Sequence, residues 1–393
     1  MGGNATVTNH KTQETFFAEK IPLQTIGRDT FIQTVSDFLV SLNDKFREQT
    51  GKELWEPSRI RSGAIFNGST SYIMDTAYDS GEIESLRPYI GDIDVITDRK
   101  LKRELYDFLL SLEGEEIREG VRYLGTNKYP FRPYMPQMNC VFCIAFKIPD
   151  VGELKIHCQV DFEFAELTES GEPTEFARFG HSSTIMDARA GIKAFHHKYL
   201  LRALVGCLYT DPDGIVVLNG QRLDKPARTK IFNVDLGVCD QLRKISDGDR
   251  NVYQQLPIFK FKCVTDLSAI FRLCFSHEPE QEELDKMWTF VGLCELIRDC
   301  ISKSVIRKVH RRYVDLLWAS CPERGQELEK NSPESDLEVK LSGYRHFVKT
   351  LGLKTIHEPM ISDYYVCYGE GRHGLTENFA SFVAKKNCTE EDF

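Results

Sequence analysis

Ile90-Gly91-Asp92-Ile93-Asp94-Val95-Ile96 alternates with a two-residue period. That is the period of a strand, whose successive side chains point to opposite faces. Asp92 and Asp94 therefore share a face, about 6–7 Å apart along a chain that rises about 3.3 Å per residue. Ile90, Ile93, Val95 and Ile96 border the pair, the composition of a strand buried on one side. Two carboxylates so placed repel one another unless a cation lies between them.

Upstream, residues 60–66 read as a short strand-like segment that runs into Asn67-Gly68-Ser69. A glycine there lets the backbone come close to a phosphate chain, and the Ser69 hydroxyl can donate to a phosphate oxygen. Further upstream, Phe31, Val35, Phe38, Leu39, Leu42 and Phe46 recur at helical spacing between Asp29 and Gly51. They predict a helix with one apolar face for a sheet. Residues 1–20 are polar and without period, and are expected as a loose arm.

Downstream, Leu101, Leu105, Phe108, Leu109 and Leu112 mark an amphipathic helix that Gly114 closes. A proline-rich loop (Pro130, Pro133, Pro136) separates it from two long strands, 140–148 and 154–164, joined as a hairpin. The second carries Gln159-Val160-Asp161-Phe162-Glu163-Phe164. If it neighbours the Asp92/Asp94 strand, Asp161 completes a metal site and can assist deprotonation of an attacking hydroxyl; Glu163 has the same facing and is the alternative third carboxylate. From Ala190 onward the pattern turns mainly helical, over 192–208, 266–275, 282–303 and 305–318, with short strands in 211–257 and a charged linker over 322–336. The expected organisation is an arm (1–20), a catalytic domain (21–188) and a mainly helical C-terminal domain (189–393). The fold class is α+β.

Composition bounds the function. Hydrophobic residues make up 41% and charged residues 28% of the 393, as in a globular protein of two ordinary domains. No apolar run approaches the roughly 20 residues of a membrane span, and no leader pattern opens the chain, so the expected location is cytoplasmic with no membrane partner. Met1-Gly2-Gly3-Asn4-Ala5-Thr6 matches a myristoylation pattern, but no polybasic stretch follows to supply a second anchor. The net charge of −9 argues against coating nucleic acid through a global positive field. A local basic groove is compatible with it, and Lys303, Arg307, Lys308, Arg311 and Arg312 on one expected helix could line one; a solvated face is the plainer reading of that cluster. Twelve cysteines follow no framework. Cys140 and Cys143 lie inside an apolar strand with no second ligand pair, so the expectation is buried thiols in a reducing compartment.

The segment Ala64-Ile65-Phe66-Asn67-Gly68-Ser69-Thr70-Ser71, followed by Gly91-Asp92-Ile93-Asp94-Val95, resembles the signature of the DNA polymerase β-like nucleotidyltransferase superfamily, phage-type members among them. That signature is a strand, a Gly-Ser turn, an acid-x-acid pair and a third acid on a later strand. The resemblance covers roughly residues 55–165. It implies a nucleotidyltransferase-like mixed sheet with flanking helices, followed by a helical domain. It implies Mg2+ or Mn2+ on Asp92, Asp94 and Asp161, and a nucleoside triphosphate such as ATP against Gly68 and Ser69. It also implies attack by an acceptor hydroxyl with release of pyrophosphate, and a phosphate contact from a lysine that opens the helical half, for which Lys198 is the candidate. Residues 72–89, which include Asp75, Asp79, Glu82 and Glu84, then stand as an insertion that roughly doubles the usual gap between turn and acid pair.

Three functions follow. An enzyme extending an RNA end predicts a basic groove. An enzyme that modifies a small molecule or protein, or makes a nucleotide messenger, predicts a closed acceptor pocket. A catalytically silent binding or scaffold protein would need degraded acids, whereas all three acids are present. His181-Ser182-Ser183-Thr184 reads as a helix cap more readily than as a nucleotide contact, and adjacent His196 and His197 cannot jointly hold a metal from one helix.

Overall fold

The structure is a computed structural model. It describes residues 6–74, 89–126, 137–181, 184–210, 217–218, 221–222, 227–234, 237–243, 263–319 and 333–354. The chain divides into two compact units, Met1–Ile185 and Met186–Phe393. It is mixed α+β, built on a mixed sheet with helices.

In the first unit the strands are β1 (Thr6–Thr8), β2 (Thr15–Phe17), β3 (Ile21–Pro22), β4 (Tyr89–Ile90), β5 (Asp92–Asp98), β6 (Glu116–Arg118), β7 (Val121–Thr126), β8 (Gln137–Ile148) and β9 (Gly152–Ala165). The helices are α1 (Leu23–Ile26), α2 (Arg28–Thr50), α3 (Pro57–Ser62), α4 (Lys102–Ser111), α5 (Glu175–Gly180) and α6 (Ile185–Arg189), which crosses the unit boundary. Seven strands form the main sheet in the order β2-β1-β7-β8-β9-β5, with β6 paired to β7. All of these pairings are antiparallel except β5 with β9, which run parallel in the register Asp92↔Gln159, Asp94↔Asp161 and Ile96↔Glu163. Parallel neighbours need a crossover rather than a hairpin, and here the intervening chain is α4 and β6–β8.

The two faces of the sheet follow from strand alternation. Phe142 and Phe146 of β8 meet Phe38 and Phe31 of α2, with ring centroids 4.8 and 6.2 Å apart. Phe162 of β9 stacks on Trp55. Phe46 of α2 also meets Phe108 of α4 edge-on at 5.3 Å, so the two helices cover one face. Residues of opposite parity, such as Val141, pack with Val7, Ala18 and Leu124 on the other side. Gln159, Asp161 and Glu163 lie on that second face too, at its β9–β5 end. The strand pair that carries the acids is thus held from behind by an aromatic layer.

Several expectations change. The expected N-terminal arm contains β1 and β2, which pair with each other and, through Thr8↔Thr126, with β7; sheet pairing with a distant strand overrides weak local pattern. Residues 57–62 are helical rather than strand-like, with Pro57 at the first helical position and Gly63 as left-handed cap, a Pro/Gly punctuation of a helix. Only Phe66 of the expected strand bridges β5, opposite Val95. Cys140 and Cys143 stand three apart on β8 and so face opposite sides.

The loop from α2 to α3 is held by one side chain. Asn43, fully buried, accepts from the amides of Leu54 (2.8 Å) and Trp55 (3.1 Å), and the Trp55 indole in turn donates to the Ile96 carbonyl of β5 at 2.7 Å. Asn43→Ala leaves two buried amides without acceptors, each worth about 1–3 kcal/mol. A loss of about 2–4 kcal/mol in urea unfolding is expected; a change within about 0.5 kcal/mol would show that these bonds do not anchor the loop.

The second unit contains α7 (Phe195–Val205), β10 (Tyr209–Thr210), β11 (Val217–Leu218), β12 (Gln221–Arg222), β13 (Ala227–Asn233), β14 (Gly237–Arg243), α8 (Leu267–Phe275), α9 (Gln281–Met287), α10 (Phe290–Cys300), α11 (Lys303–Ala319) and α12 (Pro333–Leu351). The single helix expected over 282–303 is broken at Trp288-Thr289, where the Thr289 hydroxyl caps α10 by accepting from the Gly292 amide at 2.9 Å. Residues 333–336 of the expected linker open α12, and its other residues lie outside those described. Cys239 and Cys263 form a disulfide, against the expectation that the thiols stay free; Cys140, Cys158, Cys274 and Cys294 are free and buried. Among the described residues no helix is long and apolar enough to cross a membrane.

Candidate metal centre

Asp92, Asp94 and Asp161 offer carboxylate oxygens that all lie within 4.8 Å of one another. Strand rise alone would leave the two β5 side chains about 6–7 Å apart, so their side-chain torsions turn the oxygens toward a common point. The third carboxylate arrives by register. Because Asp94 and Asp161 are Cα partners in the parallel β5–β9 ladder, residues 67 positions apart in the chain become lateral neighbours on one face.

Asp161 is 3% exposed and is held by two amides. Asn139 of β8 donates to its Oδ1 at 2.9 Å, and Gln159 of β9 donates to Oδ1 and Oδ2 at 2.9 and 3.0 Å. Burial, then the neighbouring Asp92 charge, pushes its carboxyl up from 3.8 to about 8, against the opposing pull of the Gln159 bond. A carboxyl in that range holds its proton at neutral pH until a cation takes the proton's place.

The Gly-Ser turn is built against the same strand. The Asn67 amide donates to the Asp94 carbonyl at 3.0 Å and the Ile96 amide to the Ile65 carbonyl at 2.8 Å. Fully buried Thr70 completes the clasp, its hydroxyl donating to the Asp92 carbonyl (3.2 Å) and accepting from the Asp94 amide (3.1 Å). Gly68 begins a 3-10 turn, Gly68–Met74, with φ of +54°. A Cβ there would lie 2.0 Å from Asp94 Oδ2, so glycine is required both for the left-handed backbone and for the space. Ser69 is half-buried in the same turn. Gly68→Ala is expected to displace the Asp94 carboxylate and to weaken Mn2+ binding by at least about tenfold, a range that changes beside a metal ligand reach; equilibrium dialysis with unchanged affinity would show that this contact does not set the position of Asp94.

Beside Asp161, buried Glu163 accepts from Asn67 Nδ2, and its Oε2 lies 3.5 Å from His181 Nδ1. Glu163 therefore ties the turn to β9, while Asp161 is the acid grouped with Asp92 and Asp94. The Tyr72 hydroxyl donates to the Thr184 carbonyl at 3.1 Å. Ser182 and Ser183 lie outside the described residues, as does 75–88 of the expected insertion; the chain rejoins at β4, which pairs with β3. Of the expected cap His181-Ser182-Ser183-Thr184, Thr184 directly precedes α6; α5 has its own cap in Thr174, which accepts from the Ala177 amide.

Of the six residues singled out, five meet here: Asp92, Asp94 and Asp161 as a cluster, Gly68 and Ser69 as the turn beside it. Lys198 lies half-buried on α7 of the second unit. Its neighbours His196 and His197 are buried, with Nδ1 of His196 bonded to the Tyr313 hydroxyl and Nε2 of His197 to the Met287 carbonyl, both at 2.6 Å, so both serve the packing of that unit. The residues missed from sequence are Asn139, Gln159, Thr70 and Asn67. Asn139 and Gln159 were discoverable, each being polar on the face that alternation assigns to Asp161. Comparison with protein-family models, with curated proteins and with solved structures finds nothing that matches the chain.

Proposed function

We propose that the protein is a metal-dependent nucleotidyltransferase that moves a nucleoside monophosphate from a triphosphate to an acceptor hydroxyl. The observation that carries the reading is the convergence of Asp92, Asp94 and Asp161 within 4.8 Å next to the Gly68 turn, which packs against the Asp94 carboxylate. The donor set fits the metal: three carboxylates, with no nitrogen or sulfur among the grouped ligands, suit Mg2+ or Mn2+. Such ions, when bound, neutralise phosphate charge and clamp an in-line displacement.

The chain's own residues divide the remaining work. Asp92 and Asp94 hold the cations. Asp161, oriented by Asn139 and Gln159, completes the set and accepts the proton of the acceptor hydroxyl. As the acceptor oxygen bonds to the α-phosphorus, the bond to the bridging oxygen breaks and pyrophosphate leaves. Gly68 and Ser69 receive the triphosphate. The mixed sheet with its parallel acid-bearing pair, and the helices that follow, support a nucleotidyltransferase-like fold with a C-terminal helical domain.

Our preferred acceptor is an RNA end. Lys303, Arg307 and Arg311 recur at four-residue spacing on α11 and are exposed together with Lys308, a row that suits a phosphate backbone. The acidic net charge suits a small-molecule, protein or messenger-forming reaction better. The deciding experiment incubates the protein with Mg2+ or Mn2+ and each labelled triphosphate, with and without bulk RNA. RNA-dependent label supports the preferred acceptor. Label in a small product or in protein reassigns the acceptor and keeps the chemistry. No pyrophosphate release under any condition points to a silent binding or scaffold protein.

A further inference from the structure

His277, Glu283 and Cys300 come from three separate elements of the second unit: the turn that follows α8, the first turn of α9 and the last residue of α10. Their ligand atoms nonetheless lie within 4.8 Å of one another. His277 is exposed, and Glu283 and Cys300 are half-buried, so the group can be reached from solvent.

Two of the three ligands, His277 and Glu283, are already oriented by contacts that leave a coordinating atom facing the group. His277 Nδ1 is 3.2 Å from the Phe275 carbonyl, which can only accept, so that nitrogen carries a proton. A backbone carbonyl on the far ring nitrogen is the usual support of a metal-ligating histidine. The ring also packs edge-on against Phe271, with centroids 5.0 Å apart, which limits its rotation. Glu283 gives Oε2 to the Glu280 amide at 2.9 Å, leaving Oε1 to face His277 Nε2, again at 2.9 Å. With Nδ1 committed to the carbonyl, Nε2 and Oε1 would be two acceptors in contact unless a second proton or a cation lies between them. The Cys300 sulfur is the third atom of the same triangle.

We propose that His277, Glu283 and Cys300 form a zinc site on the second unit. The donor set decides the metal. Imidazole, thiolate and carboxylate together suit Zn2+ and suit Mg2+ poorly. Tetrahedral ligands at about 2.0–2.3 Å from zinc stand roughly 3.3–3.6 Å apart, a spacing the observed triangle reaches with small side-chain adjustments. Three protein ligands leave the fourth position to water. The ion would clip the α8–α9 turn to the end of α10. It is chemically distinct from the all-carboxylate group of the first unit, and the two assignments stand or fall separately.

The test uses the full chain carrying Asp92→Asn and Asp94→Asn, so that the carboxylate group does not contribute, handled anaerobically without reductant so that the Cys239–Cys263 disulfide stays closed. Equilibrium dialysis is expected to give one Zn2+ per chain, and Co2+ in its place a thiolate-to-cobalt charge-transfer band. Cys300→Ser should abolish the band. Cys300→Ser and His277→Ala should each weaken zinc binding by at least about tenfold, a range that even outer-shell changes reach. Glu283→Gln keeps an oxygen for the Glu280 amide, so a similar loss there separates ligation from capping. Far-ultraviolet circular dichroism checks that each variant is folded. Zinc affinity and cobalt band unchanged in Cys300→Ser, or no zinc retained by the parent, would overturn the proposal and leave His277–Glu283 as an ion pair.

Discussion

Asp94→Ala, and equally Asp92→Ala, is expected to lower nucleotide turnover by at least about 1,000-fold while the chain stays folded. A factor of 1,000 corresponds to about 4 kcal/mol of transition-state stabilisation, within the several kcal/mol that a positioned cation supplies to a phosphoryl group. Both side chains are half-buried on a strand whose opposite face, Ile93 and Val95, is fully buried. Removing either carboxylate leaves that apolar face intact and relieves repulsion within the cluster. The measurement is pyrophosphate release under saturating Mn2+, alongside a thermal melt. Release within about tenfold of the parent in both variants would mean that these carboxylates do not hold the working cation.

Asp161→Asn should act on stability in the direction opposite to that of most active-site losses. In the unfolded chain this carboxyl ionises near 3.8, whereas in the fold burial and Asp92 hold it up to about 8. Folding therefore takes up a proton between those values. The metal-free protein loses stability as pH rises through that window, by about 1.4 kcal/mol per pH unit and on the order of 5 kcal/mol in all, and the loss levels off above about 8. Asparagine cannot ionise, so in chelator its melting temperature should exceed that of the parent at pH 8, with a flatter dependence from pH 5 upward. On adding Mn2+ the order should reverse, because the parent gains a bound ion and the variant loses a ligand. Thermal melts across pH 5–9 with and without metal carry this test. The same slope in variant and parent would place the titration elsewhere.

These predictions rest on different amounts of sequence information. The alternation of 90–96 is enough to place Asp92 and Asp94 on one face, since a two-residue period needs no tertiary knowledge. The heptad-like apolar spacing of 31–46 likewise gives α2, observed as Arg28–Thr50. Residues 6–8 and 15–17 escape such reading. Strands of three residues carry too little pattern, and their pairing partners lie partly in a strand more than 100 positions away. The break between α9 and α10 is similar, for apolar spacing continues through it and only the Thr289 cap interrupts the helix.

The chain's own sequence determined the residue types of the centre, the alternation that gives each acid its face and the glycine beside them. Tertiary structure alone decided which acid is third. Asp161 and Glu163 have the same parity, and the parallel register of β5 with β9 sets Asp161 beside Asp94 while Glu163 falls opposite Ile96 and turns to Asn67. Register is a property of two strands and the layer that packs behind them, so one strand read alone cannot contain it.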